Sequence, residues 1–297
     1  MKIMKKLLKI RFDNKEAFYE EGKIYASFLP KPIIVSNEFD DGSYLGYYED
    51  KKVYLKKTPQ GDYYTNLFGK QIDPFCFVSE ELDTVFCLVS RNANTSIVLS
   101  ALVAEGDVSL SDYPNEKFLW HDEEILSKCK TKGKWKPLSE ICVKNYKRRI
   151  IVLDDPYKRY VRSLNKILVE PSLLKVDEKL KKVGKEKEFI DEMLYFSDLC
   201  ENDEHFIWER HLGLQSSYVQ KCREKGTWEV VKLSDLSQWW KDNIGKEMVN
   251  NNVSTPQQRR LSLKSFDVNQ RKKLDTYLSK DVELWNSVQN NNILKKL

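Results

Sequence analysis

Two apolar runs separated by a short polar break organise the chain. Val85 to Val89 is unbroken apolar, Ser90 to Ser96 is polar, and Ile97 to Val103 is apolar again. The first run suits a strand covered on both faces, and the second is too apolar all round for a surface helix. The pattern predicts a buried strand, a loop and a buried helix. A second buried strand is expected at Arg148–Leu153, feeding Asp154, Asp155 and Pro156 into a helix with Tyr157, Tyr160, Val161, Leu164, Ile167 and Leu168 on one face. Asp155 suits its N-cap and Pro156 its first turn. A further helix is expected within Leu173–Glu201, with an apolar stripe at Phe189, Ile190, Met193, Leu194 and Phe196.

Residues 1–80 read differently. Tyr44, Leu45, Tyr47 and Tyr48, then Val53 and Leu55, fall among turn signals at Asp41-Gly42 and Pro59-Gln60-Gly61-Asp62. This predicts a β-rich extension ahead of an α/β domain over 81–297. Its tyrosines suit strand-face packing, or an aromatic platform for sugars or a partner. The stretch Gly106–Lys136 is polar and irregular. It carries FLWHDEE at 118–124 and the basic series Lys128, Lys130, Lys132, Lys134 and Lys136, which reads as a solvated surface or as a rim for an acidic glycan.

The 297 residues, 41% hydrophobic and 32% charged, fit a soluble globular protein with a sizeable core. No apolar run approaches the roughly 20 residues of a membrane span, and MKIMKKLLKIRF lacks the form of a secretory signal, so the cytoplasm is the expected location. The six cysteines, Cys76, Cys87, Cys129, Cys142, Cys200 and Cys222, form no CxxC pair, which argues against a zinc site or a disulfide framework. Net charge of +5 favours anionic ligands but falls short of a nucleic-acid-binding signature.

The Ser90–Ser96 break has chemistry of its own. Arg91 supplies a cation, Thr95 and Ser96 hydroxyls, and the following helix start supplies unpaired N–H groups that favour an anion. Asn92 and Asn94 tolerate the left-handed backbone that such loops need. On the second helix Lys158, Arg159, Arg162 and Lys166 cluster at three- and four-residue spacing, a repulsion that an anion would relieve.

SRNANTS is not a Walker loop, but it resembles the 5′-phosphosulfate loop of PAPS-dependent sulfotransferases, written PKTASTS or PKxGxTS. Arg91 stands for the lysine, Ala93 for the small residue, Thr95 and Ser96 for the hydroxyls, and Ser90 for the proline. LDDPYKRYVRS is similar to the family's 3′-phosphate motif VxRDPxxRxxS through Asp155, Pro156 and Arg159. Asp154 stands where the arginine belongs, and Arg162 where the serine belongs, with Ser163 one place later. HLGLQSSYV resembles the HxxPQSxYL segment, TWEVVKLSDL a later strand and turn, and Phe266–Val288 the terminal helix, with Leu274, Tyr277, Leu278, Val282 and Trp285 on one face and Asp267 as cap.

The chain is therefore identified as resembling carbohydrate sulfotransferases with a divergent nucleotide site. The resemblance implies a P-loop-like α/β fold, a central parallel sheet flanked by helices, and sulfuryl transfer from PAPS, without a metal, to a hydroxyl acceptor such as a carbohydrate. It implies that Arg91 stabilises charge on the leaving phosphate while Asn92, Ala93, Asn94, Thr95 and Ser96 hold the 5′ end. Arg159, Arg162, Ser163, Arg259 and Arg260 would serve the 3′-phosphate, and His121 the acceptor's proton, with Asp122, Glu123 or Glu124 as substitutes. The departures at Asp154 and Arg162 leave open a replaced phosphate site, a different donor, or a binding or scaffold protein that has lost catalysis. A kinase-like enzyme is the more remote alternative, lacking the Walker lysine.

Overall fold

The computed structural model describes residues 6–10, 15–57, 61–65, 73–90, 92–109, 134–169, 180–201, 211–249, 260–288 and 293–294. It has two β systems. The first is a closed barrel of β1 Lys6–Ile10, β2 Lys15–Glu20, β3 Lys23–Ala26, β4 Ile33–Glu38, β5 Tyr44–Tyr48, β6 Lys51–Lys57 and β7 Tyr63–Thr65. Successive strands are antiparallel, and the parallel pairing of Ile10 with Tyr63 closes the ring. Alternation fixes the inside: Leu8, Ile10, Ala17, Ile24, Ile33, Tyr44, Val53, Leu55 and Tyr63 fill it. Gly46 is required at one point, because a Cβ there would stand 2.5 Å from the Ile34 carbonyl oxygen.

The second system is a six-stranded sheet in the order β10 Trp135–Pro137, β8 Phe75–Ser79, β9 Thr84–Cys87, β11 Arg148–Leu153, β12 Trp228–Lys232 and β13 Ile293–Leu294. Only β9, β11 and β12 run parallel; β10, β8 and β13 pair antiparallel. This overturns the expected P-loop-like central parallel sheet. The protein is strand-rich, with an antiparallel barrel beside a mixed sheet. The physical cause is local: β8 and β9 are joined by a tight turn at Glu80–Asp83, which can link only antiparallel neighbours.

Among the described residues six α-helices accompany the sheet: α1 Asn94–Ala104, α2 Pro156–Val169, α3 Glu186–Glu201, α4 Gln215–Lys225, α5 Leu236–Ile244 and α6 Val268–Val288. The central strands are apolar on both faces, and both faces are covered. On one, Phe86, Ile150, Val152 and Val231 meet α1 and α5, including Trp240. On the other, Val85, Cys87, Ile151, Leu153 and Val230 meet α4 and the end of α6. A third cluster packs α2, α3 and α6 together through Tyr160, Leu164, Phe189, Met193, Leu274 and Leu278. α1 is buried continuously from Ser96 to Leu102, as its all-round apolar sequence requires.

Candidate functional site

β9 and β11 are parallel neighbours, so the loops leaving their carboxyl ends lie side by side. One loop enters α1 on one face of the sheet. The other enters α2, which packs with α6 on the opposite side. In open α/β sheets such a divergence at the strand ends is where ligands are held.

Ala93, at φ 59°, turns the first loop into α1, and the first intrahelical bond runs from the Ile97 N–H to the Ala93 carbonyl at 2.9 Å. The left-handed residue is alanine rather than Asn92 or Asn94. The amides of Asn94, Thr95 and Ser96 precede that first bond and point out of the helix end. No side chain caps α1, and its first turn carries no acid. The other helix starts differ. Asp155 accepts the Lys158 amide at 3.0 Å and Asp267 the Gln270 amide at 2.9 Å. Asp281, from α6, accepts the Gln215 and Ser216 amides at 2.9 and 2.8 Å. Glu186 and Glu188 lie in the first turn of α3, and Asp235 precedes α5. Asp235 makes no side-chain bond to the α5 amides, so among the described residues α1 is set apart by having no carboxylate at its N-cap, in its first turn or bonded to its first amides.

Buried polar bonds lock this loop to the second one. Asn92, wholly buried, donates through Nδ2 to the Val152 carbonyl and to Gln215 Oε1, each at 2.7 Å. Gln215 also accepts the Asp154 amide at 3.0 Å and donates to the Asp154 carbonyl at 2.8 Å. Arg159, likewise fully buried, donates through Nε to the Ser90 carbonyl at 3.0 Å and through Nη2 to the Gly213 carbonyl at 2.7 Å. Its Nη1 and Asn92 Oδ1 are buried without a hydrogen-bond partner among the described residues.

The residues expected to hold a 3′-phosphate are placed otherwise. Arg162 forms an ion pair with Asp154, whose side chain is 11% exposed. Ser163 donates to the Arg159 and His211 carbonyls. Arg260 donates to Glu186 at 2.7 Å and to the Lys181 and Lys182 carbonyls, near α3 rather than at the strand ends. The first loop thus carries no carboxylate at its helix start, whereas Arg162 beside the second is already paired with Asp154. Arg91, His121 and Arg259 lie outside the described residues.

Sequence pattern missed Gln215 as the pivot of both loops. Its only signal was its place in HLGLQSSYV, where Gln215 follows an apolar position and opens a helix. A separate open cleft of about 720 Å³ lies between α4 and α6, bordered by Ser216, Val219, Arg223, Glu224, Lys280 and Glu283. No group of three or more His, Cys, Asp and Glu among the described residues is placed to hold a metal ion, and no described helix is long and apolar enough to cross a membrane. No protein-family model, curated protein or solved structure matches the chain.

Proposed function

We propose that the Ser90–Ser96 loop and the start of α1 hold the phosphosulfate end of PAPS, and that the chain transfers the sulfuryl group to a hydroxyl acceptor of carbohydrate type. The observation carrying this reading is the uncompensated α1 terminus, set beside the end of β11 by Asn92, Gln215 and Arg159. Sulfuryl transfer between oxygens needs positioning and charge stabilisation more than covalent help. The loop amides would supply part of that stabilisation and Arg91 the rest. Arg91 binds charge bidentately but gives up no proton, so the acceptor's proton must pass to a separate base, for which His121 or the adjacent acids stand in sequence.

The second reading is a binding protein of the same ligand class without transfer. It is favoured by the Asp154–Arg162 pair, which occupies the cation a 3′-phosphate would need. Thermal unfolding with PAPS, PAP or inorganic sulfate added separates them. A ligand at 100 times its dissociation constant adds about 2.7 kcal/mol to the native state. PAPS binding together with transfer of labelled sulfate to a mixture of glycan acceptors, abolished by Arg91→Ala, supports the enzyme. Binding without transfer supports the second reading, and no shift with PAPS or PAP removes both.

A further inference from the structure

Three of the six cysteines, far apart in sequence, meet inside the second sheet. Cys76 on β8, Cys87 on β9 and Cys222 on α4 are all buried, at 0%, 1% and 0% exposure, within the cluster that joins the sheet to α4 and α6. The Cys222 and Cys76 side chains both pack with Cys87 in that cluster. Those contacts hold Cys87 below the ordinary thiol range, whereas burial pushes Cys76 and Cys222 up. Of the three, Cys87 is the one whose thiol is lowered rather than raised.

The register sharpens this. Cys76 stands directly opposite Cys87 in the β8–β9 ladder, and the neighbouring pair is joined by the Leu88 amide donating to the Phe75 carbonyl at 2.9 Å. Antiparallel pairs alternate between bonded and non-bonded types, so Cys76 and Cys87 form a non-bonded pair. In such a pair the Cα atoms approach to about 4.5 Å and the side chains face each other most closely. That separation lies within the range of about 4.4–6.8 Å that a disulfide spans. The register thus places the two where a disulfide can form without a change of strand pairing. Cys222 approaches from a helix, without that backbone register.

We propose that Cys76 and Cys87 are a dithiol oxidation site, converted by hydrogen peroxide to a cross-strand disulfide. The Cys87 thiolate attacks one peroxide oxygen, the O–O bond breaks, and hydroxide leaves and takes up a proton, giving a sulfenic acid and water. The Cys76 sulfur then attacks the sulfenic sulfur, its proton leaves with the hydroxyl as a second water, and the S–S bond forms. Two thiols lose two electrons in all and the peroxide gains them. The product would tie β8 to β9 three residues ahead of Ser90, where the chain enters the anion-binding loop.

The full chain is treated with graded hydrogen peroxide, quenched, alkylated after unfolding and mapped by peptide mass spectrometry. Exposed Cys142 serves as the internal measure of dose. The expected result is a mass loss of about 2 Da carried by a Cys76–Cys87 linked peptide, persisting in Cys222→Ala. In Cys76→Ala the link disappears and a dimedone-type probe labels Cys87. A Cys87–Cys222 link in the wild-type chain overturns the assignment. So does full alkylation of Cys76 and Cys87 at a dose that has oxidised Cys142. The wild-type map needs no variant, so a poorly folding substitution leaves the test intact.

Discussion

The two strand-to-helix junctions of the central sheet are neighbours with opposite chemistry. Both follow a buried parallel strand, and both deliver a helix whose N-terminus faces the same edge. At β9–α1 the sequence places no carboxylate, the turn is made by Ala93 in the left-handed region, and the helix end keeps its positive character. At β11–α2 two aspartates fill the junction: Asp155 caps the helix through the Lys158 amide, and Asp154 pairs with Arg162. Equivalent backbone geometry thus gives one end that attracts an anion and one that supplies its own. The side chains at the turn decide this, not the fold.

The largest expected effect comes from cutting the bond that holds the junctions together. Gln215→Ala should lower unfolding free energy by about 3 kcal/mol in urea melts, since it strands both backbone groups of Asp154 in the interior and leaves Asn92 Nδ2 with only its Val152 bond. A loss under about 1 kcal/mol would mean that the junctions are held independently. Arg159→Met should follow at about 2 kcal/mol, because it leaves the Ser90 and Gly213 carbonyls unpaired while keeping the packed stem.

Asp154→Asn attacks the asymmetry itself. Removing its charge releases Arg162, and PAP should bind about tenfold tighter, a gain of about 1.4 kcal/mol read by titration calorimetry. Unchanged affinity would show that the second junction contributes nothing to anion binding. The smallest effect lies at the opposite end of α1, where Lys134 bonds to Asp107 at 2.7 Å and to Glu105. Burial pulls the Lys134 ammonium down, but the Asp107 and Glu105 contacts outweigh it and leave the group raised. A raised lysine contributes stability fully present below its unfolded value of 10.5 and lost as pH rises through the folded one. Stability measured from pH 9 to 12 should therefore fall above about 10.5, by no more than about 1 kcal/mol from this group. A flat profile would leave α1 unanchored at that end.

The elements around these junctions were legible in sequence because their signals are local. Val85–Val89 read as a covered strand, Ile97–Val103 as a buried helix and Pro156 as a first helical residue, and β9, α1 and α2 stand there. The stripe at Phe189, Ile190, Met193, Leu194 and Phe196 is buried in α3. The hairpin signals of the first 80 residues identified strands, but not their closure, which rests on the pairing of Ile10 with Tyr63. The sheet was misjudged for a related reason. An apolar run shows that a strand is covered, not which way its neighbours run, and β8, β10 and β13 turned a parallel expectation into a mixed sheet.

The candidate site divides along the same line. By itself the sequence determined that a polar, acid-free loop separates a buried strand from a buried helix, since composition and periodicity act over a few residues. It determined equally that aspartates occupy the next such turn. Only the tertiary structure decided that Arg162 would be answered by Asp154, that Arg159 and Ser163 would serve backbone carbonyls, and that Arg260 would stand away near α3. It also brought Gln215 between the two loops and Cys76, Cys87 and Cys222 into one cluster. The reason is physical: a buried polar group must find a partner wherever the chain brings one, and the sequence distance to that partner costs little once the core has folded.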